Sequence, residues 1–163
     1  MASENHIENI LFTLNEAQVD FIICGGLAAV LYGVERMTVD VDISIEFEKD
    51  NIERFLSAVK KLGMEPRAPV SSEILFDEKE RKKLAKEKNA IAFTFIDQEN
   101  PYKQIDVFLM DEYDFSDLIK NSGVQKIEGR DFHVISREKL IELKKKAGRD
   151  KDLLDIKELE KDV

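Results

Sequence analysis

The run Phe21-Ile22-Ile23-Cys24-Gly25-Gly26-Leu27-Ala28-Ala29-Val30-Leu31-Tyr32-Gly33, followed a few residues later by Thr38-Val39-Asp40-Val41-Asp42-Ile43-Ser44-Ile45, decides how the chain is read. The apolar, β-branched residues 21–24 predict a short strand that ends on a glycine pair. Leu27 to Tyr32 then predicts a short helix that stops at Gly33. From Thr38 the sequence alternates strictly, so a strand there puts Asp40 and Asp42 on one face. Val39, Val41, Ile43 and Ile45 are expected to point into a core. Two carboxylates side by side on a strand repel each other, and a cation between them relieves that repulsion. Gly25 and Gly26 offer backbone N–H groups with no Cβ in the way, at the start of a helix, which suits a phosphate. Phosphate beside a divalent cation is the equipment of phosphoryl or nucleotidyl transfer. Taken singly, an Asp-x-Asp strand is more often an ordinary half-exposed strand, and a glycine pair alone says less still. Their order and spacing carry the functional reading.

Gly25-Gly26, thirteen intervening residues and Asp40-Val41-Asp42-Ile43 resemble the signature of the DNA polymerase beta-like nucleotidyltransferase superfamily. Gly33, Arg36 and Thr38 extend the likeness to its small, AbiEii-like branch, in which G-x-x-R-x-T-x-D-x-D recurs. Gly26 departs from the many relatives that carry serine there, so a hydroxyl able to touch phosphate is missing. A second motif lies near the end of the chain. Lys144-Lys145-Lys146-Ala147-Gly148-Arg149-Asp150-Lys151-Asp152, continuing to Asp155-Ile156, resembles the K-x-x-A-G-R-x-K-D-x-x-D-[IL] motif of the same branch. On one continuous helix Lys144, Lys151 and Asp155 would share a face.

The resemblance implies an α+β nucleotidyltransferase fold, with a short mixed sheet bearing the carboxylates, helices packed on it and C-terminal helices flanking the site. It also implies a third carboxylate on a neighbouring strand. Asp106, in the β-type run Lys103-Gln104-Ile105-Asp106-Val107-Phe108-Leu109, is the expected one. Asp40, Asp42 and Asp106 are thus the expected catalytic residues and ligands of two Mg²⁺ ions, with Mn²⁺ as a substitute. Gly25, Gly26, Arg36, Thr38, Lys144, Arg149 and Lys151 are the expected nucleotide-binding residues. The expected partners are a nucleoside triphosphate and an acceptor hydroxyl on an RNA end, a protein or a small molecule. Toxin–antitoxin components among the relatives imply a cognate partner protein as well. Two other readings stay open: a non-catalytic module that binds nucleotide or a partner, and a plain metal-binding structural domain. The first does not need a mutually repelling triad, and the second leaves the glycine pair and Arg36 unexplained.

Composition narrows the alternatives. With 163 residues and 43% apolar content, the chain is expected to form one domain, 1–163, with a core over about 19–135 and a helical segment over about 136–161. A net charge of −9 argues against broad, sequence-blind nucleic-acid binding. The local exception is Arg137 to Lys151, with seven basic and three acidic residues. The lone Cys24 cannot form an intramolecular disulfide and reads as a packing thiol in a reducing cytoplasm. The acidic start Met1-Ala2-Ser3-Glu4 does not resemble a signal peptide, and the longest apolar stretch is too short to span a bilayer.

The remaining elements follow from periodicity and punctuation. A helix is expected over about Glu4 to Gln18, with His6 exposed on its first turn. Another is expected to start at an Asp50 N-cap with Glu53 three residues on, ending at Gly63. Met64 to Phe76, with its two prolines, reads as irregular, and the charged run Asp77 to Lys88 as a solvated helix or loop. Ala90 to Ile96 is a strand, Asp97 to Pro101 a turn, and Asp114 to Asn121 a short helix. Val124 to Glu128 and Phe132 to Ile135 form a hairpin about Gly129-Arg130-Asp131, with His133 given no ligand role. Ser136 caps a helix over Arg137 to Gly148, and Arg149 to Lys161 forms a second helix or its continuation.

Overall fold

The computed structural model describes residues 5–87 and 91–161. Glu4, Lys88 and Ala90, named above as element ends, lie outside them. Helix α1 (His6–Glu16) buries Ile10, Leu11 and Leu14. Strand β1 (Phe21–Ile23), wholly buried, runs into α2 (Gly25–Leu31) and then β2 (Asp40–Ile45). Next come α3 (Lys49–Lys61), the short β3 (Glu65–Pro66), a 3-10 turn at Ser72–Phe76 and α4 (Glu78–Glu87). Strands β4 (Ala92–Asp97) and β5 (Asn100–Phe108) form a hairpin, followed by the one-turn α5 (Phe115–Leu118). A second hairpin, β6 (Gly123–Ile127) and β7 (Arg130–Val134), leads to α6 (Arg137–Ala147) and α7 (Asp150–Lys161).

The strands make one mixed sheet in the order β3-β4-β5-β2-β1-β7-β6. β2 runs parallel to β5 and antiparallel to β1, while β1 runs parallel to β7. This is the α+β architecture expected from the sequence. Burial shows why the register is unambiguous. Val41, Ile43, Ile45, Ile105 and Val107 are fully buried on one face of the central strands, so a one-residue slip would turn them all to the other side. α1 packs on α3 and β2. Asn51, fully buried on α3, ties that layer to the sheet: its amide accepts from the Asp20 N–H at 2.7 Å and donates to the Asp20 and Glu46 carbonyls at 3.0 and 2.8 Å.

Several local expectations are corrected. Val39 lies ahead of β2 and is 42% exposed rather than in the core. The α3 N-cap is Glu48, not Asp50, which falls inside the first turn. Pro101 is already in β5, on a strand that begins at Asn100. The second hairpin turns on Glu128 and Gly129, both at positive φ (50° and 81°), so Arg130 and Asp131 belong to the strand. A two-residue loop with both residues left-handed matches the twist of its flanking strands. His6 is half-buried, with its ring nitrogen 2.9 Å from the Asn100 amide. The charged run does form a solvated helix, as expected: α4 buries no residue, and Asp77 accepts from the Lys79 and Glu80 N–H groups ahead of it.

Of the two forms expected at the C-terminus, the separate second helix is the one found. No continuous helix carries Lys144, Lys151 and Asp155, because Gly148 adopts a left-handed φ of 63° and ends α6. Ser136 does cap α6, accepting from the Lys139 N–H. α7 folds back along α6, with the Arg137 guanidinium reaching the Leu159 carbonyl at 3.1 Å and Lys144 reaching Asp155 at the other end. α6 also packs on α2, which brings the helical pair beside the glycine end of the sheet.

Candidate active site

Strand pairing assembles the acidic centre. Asp42 on β2 lies directly opposite Asp106 on β5, and Asp40 lies opposite Gln104. Thr94 on β4 lies opposite Asp106 in turn. A row Thr94–Asp106–Asp42 therefore crosses three strands on one face. The Thr94 hydroxyl donates to Asp106 Oδ1 at 2.6 Å, and the Gln104 amide approaches both Asp106 oxygens at 3.3 Å. Asp42 accepts a longer bond, 3.4 Å, from the Gly26 N–H.

Two close carboxylates in a half-enclosed site cannot both hold a negative charge cheaply. Burial, and then the negative charge of Asp106, push the Asp42 carboxyl up to about 7 from 3.8. Burial and Asp106 also raise Asp40, while Lys151 and Arg67 oppose that rise.

Gly25 is required here for two reasons. Its φ is +59°, and a Cβ would stand 2.1 Å from Asp42 Oδ2. At Gly26 a Cβ would meet the Thr38 hydroxyl at 3.4 Å and the Arg36 guanidinium at 3.6 Å, which is ordinary contact. The glycine pair thus lets the α2 backbone close onto the Asp42 carboxylate, and the Gly26 N–H is engaged by that carboxylate.

The expected phosphate-binding cations divide into two kinds. Asp155, buried on α7, takes Arg36 Nη1 at 2.6 Å and Lys144 Nζ at 2.8 Å on the same oxygen. Asp152, also buried, takes Arg149 Nε at 2.7 Å and Lys144 at 3.6 Å. The result is a chain of ion pairs, Arg36–Asp155–Lys144–Asp152–Arg149, with one more cation than anions. Lys151 is exposed and carries no ion pair among the described residues. All ten candidate residues named from the sequence line one cavity of about 900 Å³.

The same cavity includes residues that sequence reasoning did not assign. Arg67, between Pro66 and Ala68, sits in a stretch read only as irregular. Thr94 lies on an expected strand, but its partner depends on a register the sequence does not show. Tyr113 stacks on Phe108 with ring centroids 3.8 Å apart and planes 11° from parallel, and nothing in the local pattern marks it. Cys24 is fully buried, and burial raises its thiol far above the ordinary range, so it is a packing group.

Among the described residues, no three His, Cys, Asp or Glu groups converge as a ready metal cage. The donor set nevertheless suits a hard divalent cation: it is all carboxylate, and burial together with the facing Asp106 makes the negative charge of Asp42 costly in the absence of a cation. Among the described residues, no helix is long and apolar enough to cross a membrane.

The family model described as aminoglycoside-2''-adenylyltransferase matches residues 6–159. The chain belongs to this family. Two solved structures share its fold. The crystal structure of ANT(2'')-Ia in complex with adenylyl-2''-tobramycin aligns with a TM-score of 0.59 at 17% identity, covering 94% of this chain and 84% of that one. The solution structure of the antibiotic-resistance factor ANT(2'')-Ia gives the same TM-score and identity over 94% and 80%. No curated protein matches. Membership places the chain among nucleotidyltransferases, as the first motif implies, while the family model does not name the narrower AbiEii-like branch.

Proposed function

We propose that this protein transfers a nucleoside monophosphate from a nucleoside triphosphate to an acceptor hydroxyl, acting as one domain over 1–163. The observation that carries this reading is the register of Asp42 against Asp106, with Asp40 on the same strand face and the glycine pair alongside, all on one cavity. Asp40, Asp42 and Asp106 would hold two Mg²⁺ ions, which when bound lower the pKa of the acceptor hydroxyl and offset the charge of the departing pyrophosphate. Asp106 takes the hydroxyl proton as the acceptor oxygen bonds to the α-phosphorus. The bond from the α-phosphorus to the bridging oxygen breaks, and pyrophosphate leaves with that electron pair. Thr94 and Gln104 orient Asp106 for this step.

Gly25, Gly26 and Thr38 border the triphosphate, and Lys151, which has no ion pair among the described residues, adds positive charge on their side. Arg36, Lys144 and Arg149 contribute through the surplus positive charge of their ion-pair chain. The family description and the adenylylated product bound to ANT(2'')-Ia favour ATP as donor. A cognate toxin–antitoxin partner is supported by the motif resemblance alone.

A thermal-shift panel tests the reading. ATP, GTP, CTP and UTP are compared with Mg²⁺, with Mn²⁺ and with chelator, on the wild type and on Asp40→Asn/Asp42→Asn. A native-state ligand at a hundredfold excess over Kd adds about 2.7 kcal/mol. The expected result is a metal-dependent shift that the double variant loses. A shift independent of both metal and carboxylates would remove the proposed site.

A further inference from the structure

Along β2 and β5 the cavity wall changes character from one end to the other. β1 runs antiparallel to β2, so the glycine pair that follows it lies towards the start of β2, against Asp42, Thr38 and Arg36. The acidic centre comes next, with Asp42 opposite Asp106. Phe108 stands two residues on from Asp106, on the same face and about 7 Å further along β5. Its ring carries Tyr113 in a near-parallel stack, with centroids 3.8 Å apart. Glycine pair, carboxylates and aromatic rings therefore follow one another along one wall.

The aromatic pair is turned to the cavity rather than to the core. Phe108 and Tyr113 are both half-buried and both line the cavity, whereas Val107 and Leu109, on the other face of the chain, are buried. Tyr113 closes the 3-10 turn Asp111–Tyr113, and buried Ser44, two residues beyond Asp42 on β2, donates its hydroxyl to the Tyr113 carbonyl. That bond pins the turn to the strand that carries Asp40 and Asp42. The phenol lies within reach of the charges of Asp42, Asp152 and Arg149, which sets it between the acidic centre and the junction of α6 and α7. Burial holds the phenol above its ordinary range, so the ring stays neutral. The Arg149 side chain, though paired with Asp152, is 59% exposed at this border.

Resting on the nucleotidyl-transfer reading, which puts the triphosphate at the glycine pair and its α-phosphorus at the carboxylates, we infer that the Phe108–Tyr113 pair is the platform on which the nucleobase of the donor stacks. A nucleoside triphosphate repeats the order of the wall: phosphates, then ribose, then a flat base. Held at its α-phosphorus, it brings the base one ribose beyond the acidic centre, where the aromatic pair stands. Every base has a π face and can stack there, and a purine overlaps the rings over a larger area than a pyrimidine.

Calorimetric titration of ATP, CTP and inorganic tripolyphosphate, each with Mg²⁺, into wild type, Tyr113→Leu and Tyr113→Phe tests the platform. Tripolyphosphate carries the phosphates of the donor without its base. Wild type is expected to bind ATP more tightly than CTP, and both more tightly than tripolyphosphate. Tyr113→Leu keeps apolar bulk beside Phe108 but removes the ring, so ATP affinity should fall about tenfold while tripolyphosphate stays within about twofold. Tyr113→Phe should bind ATP as wild type does. Equal affinity of wild type for ATP and tripolyphosphate would overturn the platform and leave the triphosphate site standing. An ATP affinity unchanged in Tyr113→Leu would do the same and point to the acceptor as the occupant of the rings. A parallel loss of ATP and tripolyphosphate in Tyr113→Leu would make the ring a structural part only, which also overturns the inference. If wild type binds neither ligand, the nucleotidyl-transfer reading falls and the platform with it.

Discussion

Replacing Gly25 by alanine adds one methyl group at the most constrained point of the molecule. Its φ of +59° is a conformation that costs an L residue about 1–2 kcal/mol. The new Cβ would stand 2.1 Å from Asp42 Oδ2 and 2.8 Å from both Asp42 Cβ and Cγ. Those atoms belong to a central strand paired on both sides, so Asp42 cannot simply swing clear, and overpacking of this kind costs about 1–3 kcal/mol. The two costs together predict a loss of about 2–5 kcal/mol, which for a chain of this size is roughly 5–15 °C in Tm. Gly26→Ala is the internal control, since its Cβ would make only ordinary contacts with Thr38 and Arg36 at a backbone angle open to alanine. Urea unfolding followed by circular dichroism on both variants is the assay. The reasoning is refuted if Gly25→Ala stays within about 0.5 kcal/mol of wild type, the range of unremarkable surface changes. It is equally refuted if Gly26→Ala is as damaging.

The Asp42 carboxyl, raised to about 7 by burial and by Asp106, gives a pH dependence of definite sign. The folded protein keeps a proton that the unfolded chain releases. This contribution to stability is therefore fully present below about pH 4 and is lost as pH rises through 7, by at most about 4 kcal/mol. Urea unfolding of metal-free protein should show that decline, Asp42→Asn should flatten it, and Mg²⁺ affinity should rise over the same window; a decline unchanged in Asp42→Asn would sink the assignment. Asp155→Asn leaves Arg36 and buried Lys144 short of their shared carboxylate and should cost about 3 kcal/mol. Adding Lys144→Met should restore part of that loss in a double-mutant cycle, whereas strictly additive losses would mean that the pair is not coupled.

How far the sequence reaches can be judged residue by residue. Asp40 and Asp42 could be placed on one strand face because a strand repeats every two residues whatever it pairs with. Asp106 was picked out by a family resemblance, and the parallel β2–β5 pairing puts it directly across from Asp42. The partner of Asp106 could not be read in advance: Thr94 reaches it only through the β4–β5 register. Asp50 and Glu53 matched a capping pattern, yet α3 starts two residues earlier, at a point where Asn51 locks the helix to the ends of β1 and β2. A short local pattern lost there to a buried long-range hydrogen-bond set.

The C-terminal motif shows the same division. Its lysines, arginine and aspartates were visible as a spacing, but the helix that would have aligned them is broken at Gly148. Lys144 and Asp155 meet because two helices fold against each other, 11 residues apart along the chain and 2.8 Å apart in space. Arg67 carried no local signal at all, since its position at the cavity depends on β3 pairing with the edge of the sheet.

Sequence by itself determined most element types and the facing of the first two carboxylates, because backbone period and glycine conformation are local properties, while the α+β class followed from the family resemblance. Tertiary structure alone decided which charges remain free. Whether Arg36, Lys144 or Arg149 meets a ligand or a buried carboxylate depends on Coulomb and desolvation energies between groups that only the folded chain brings together.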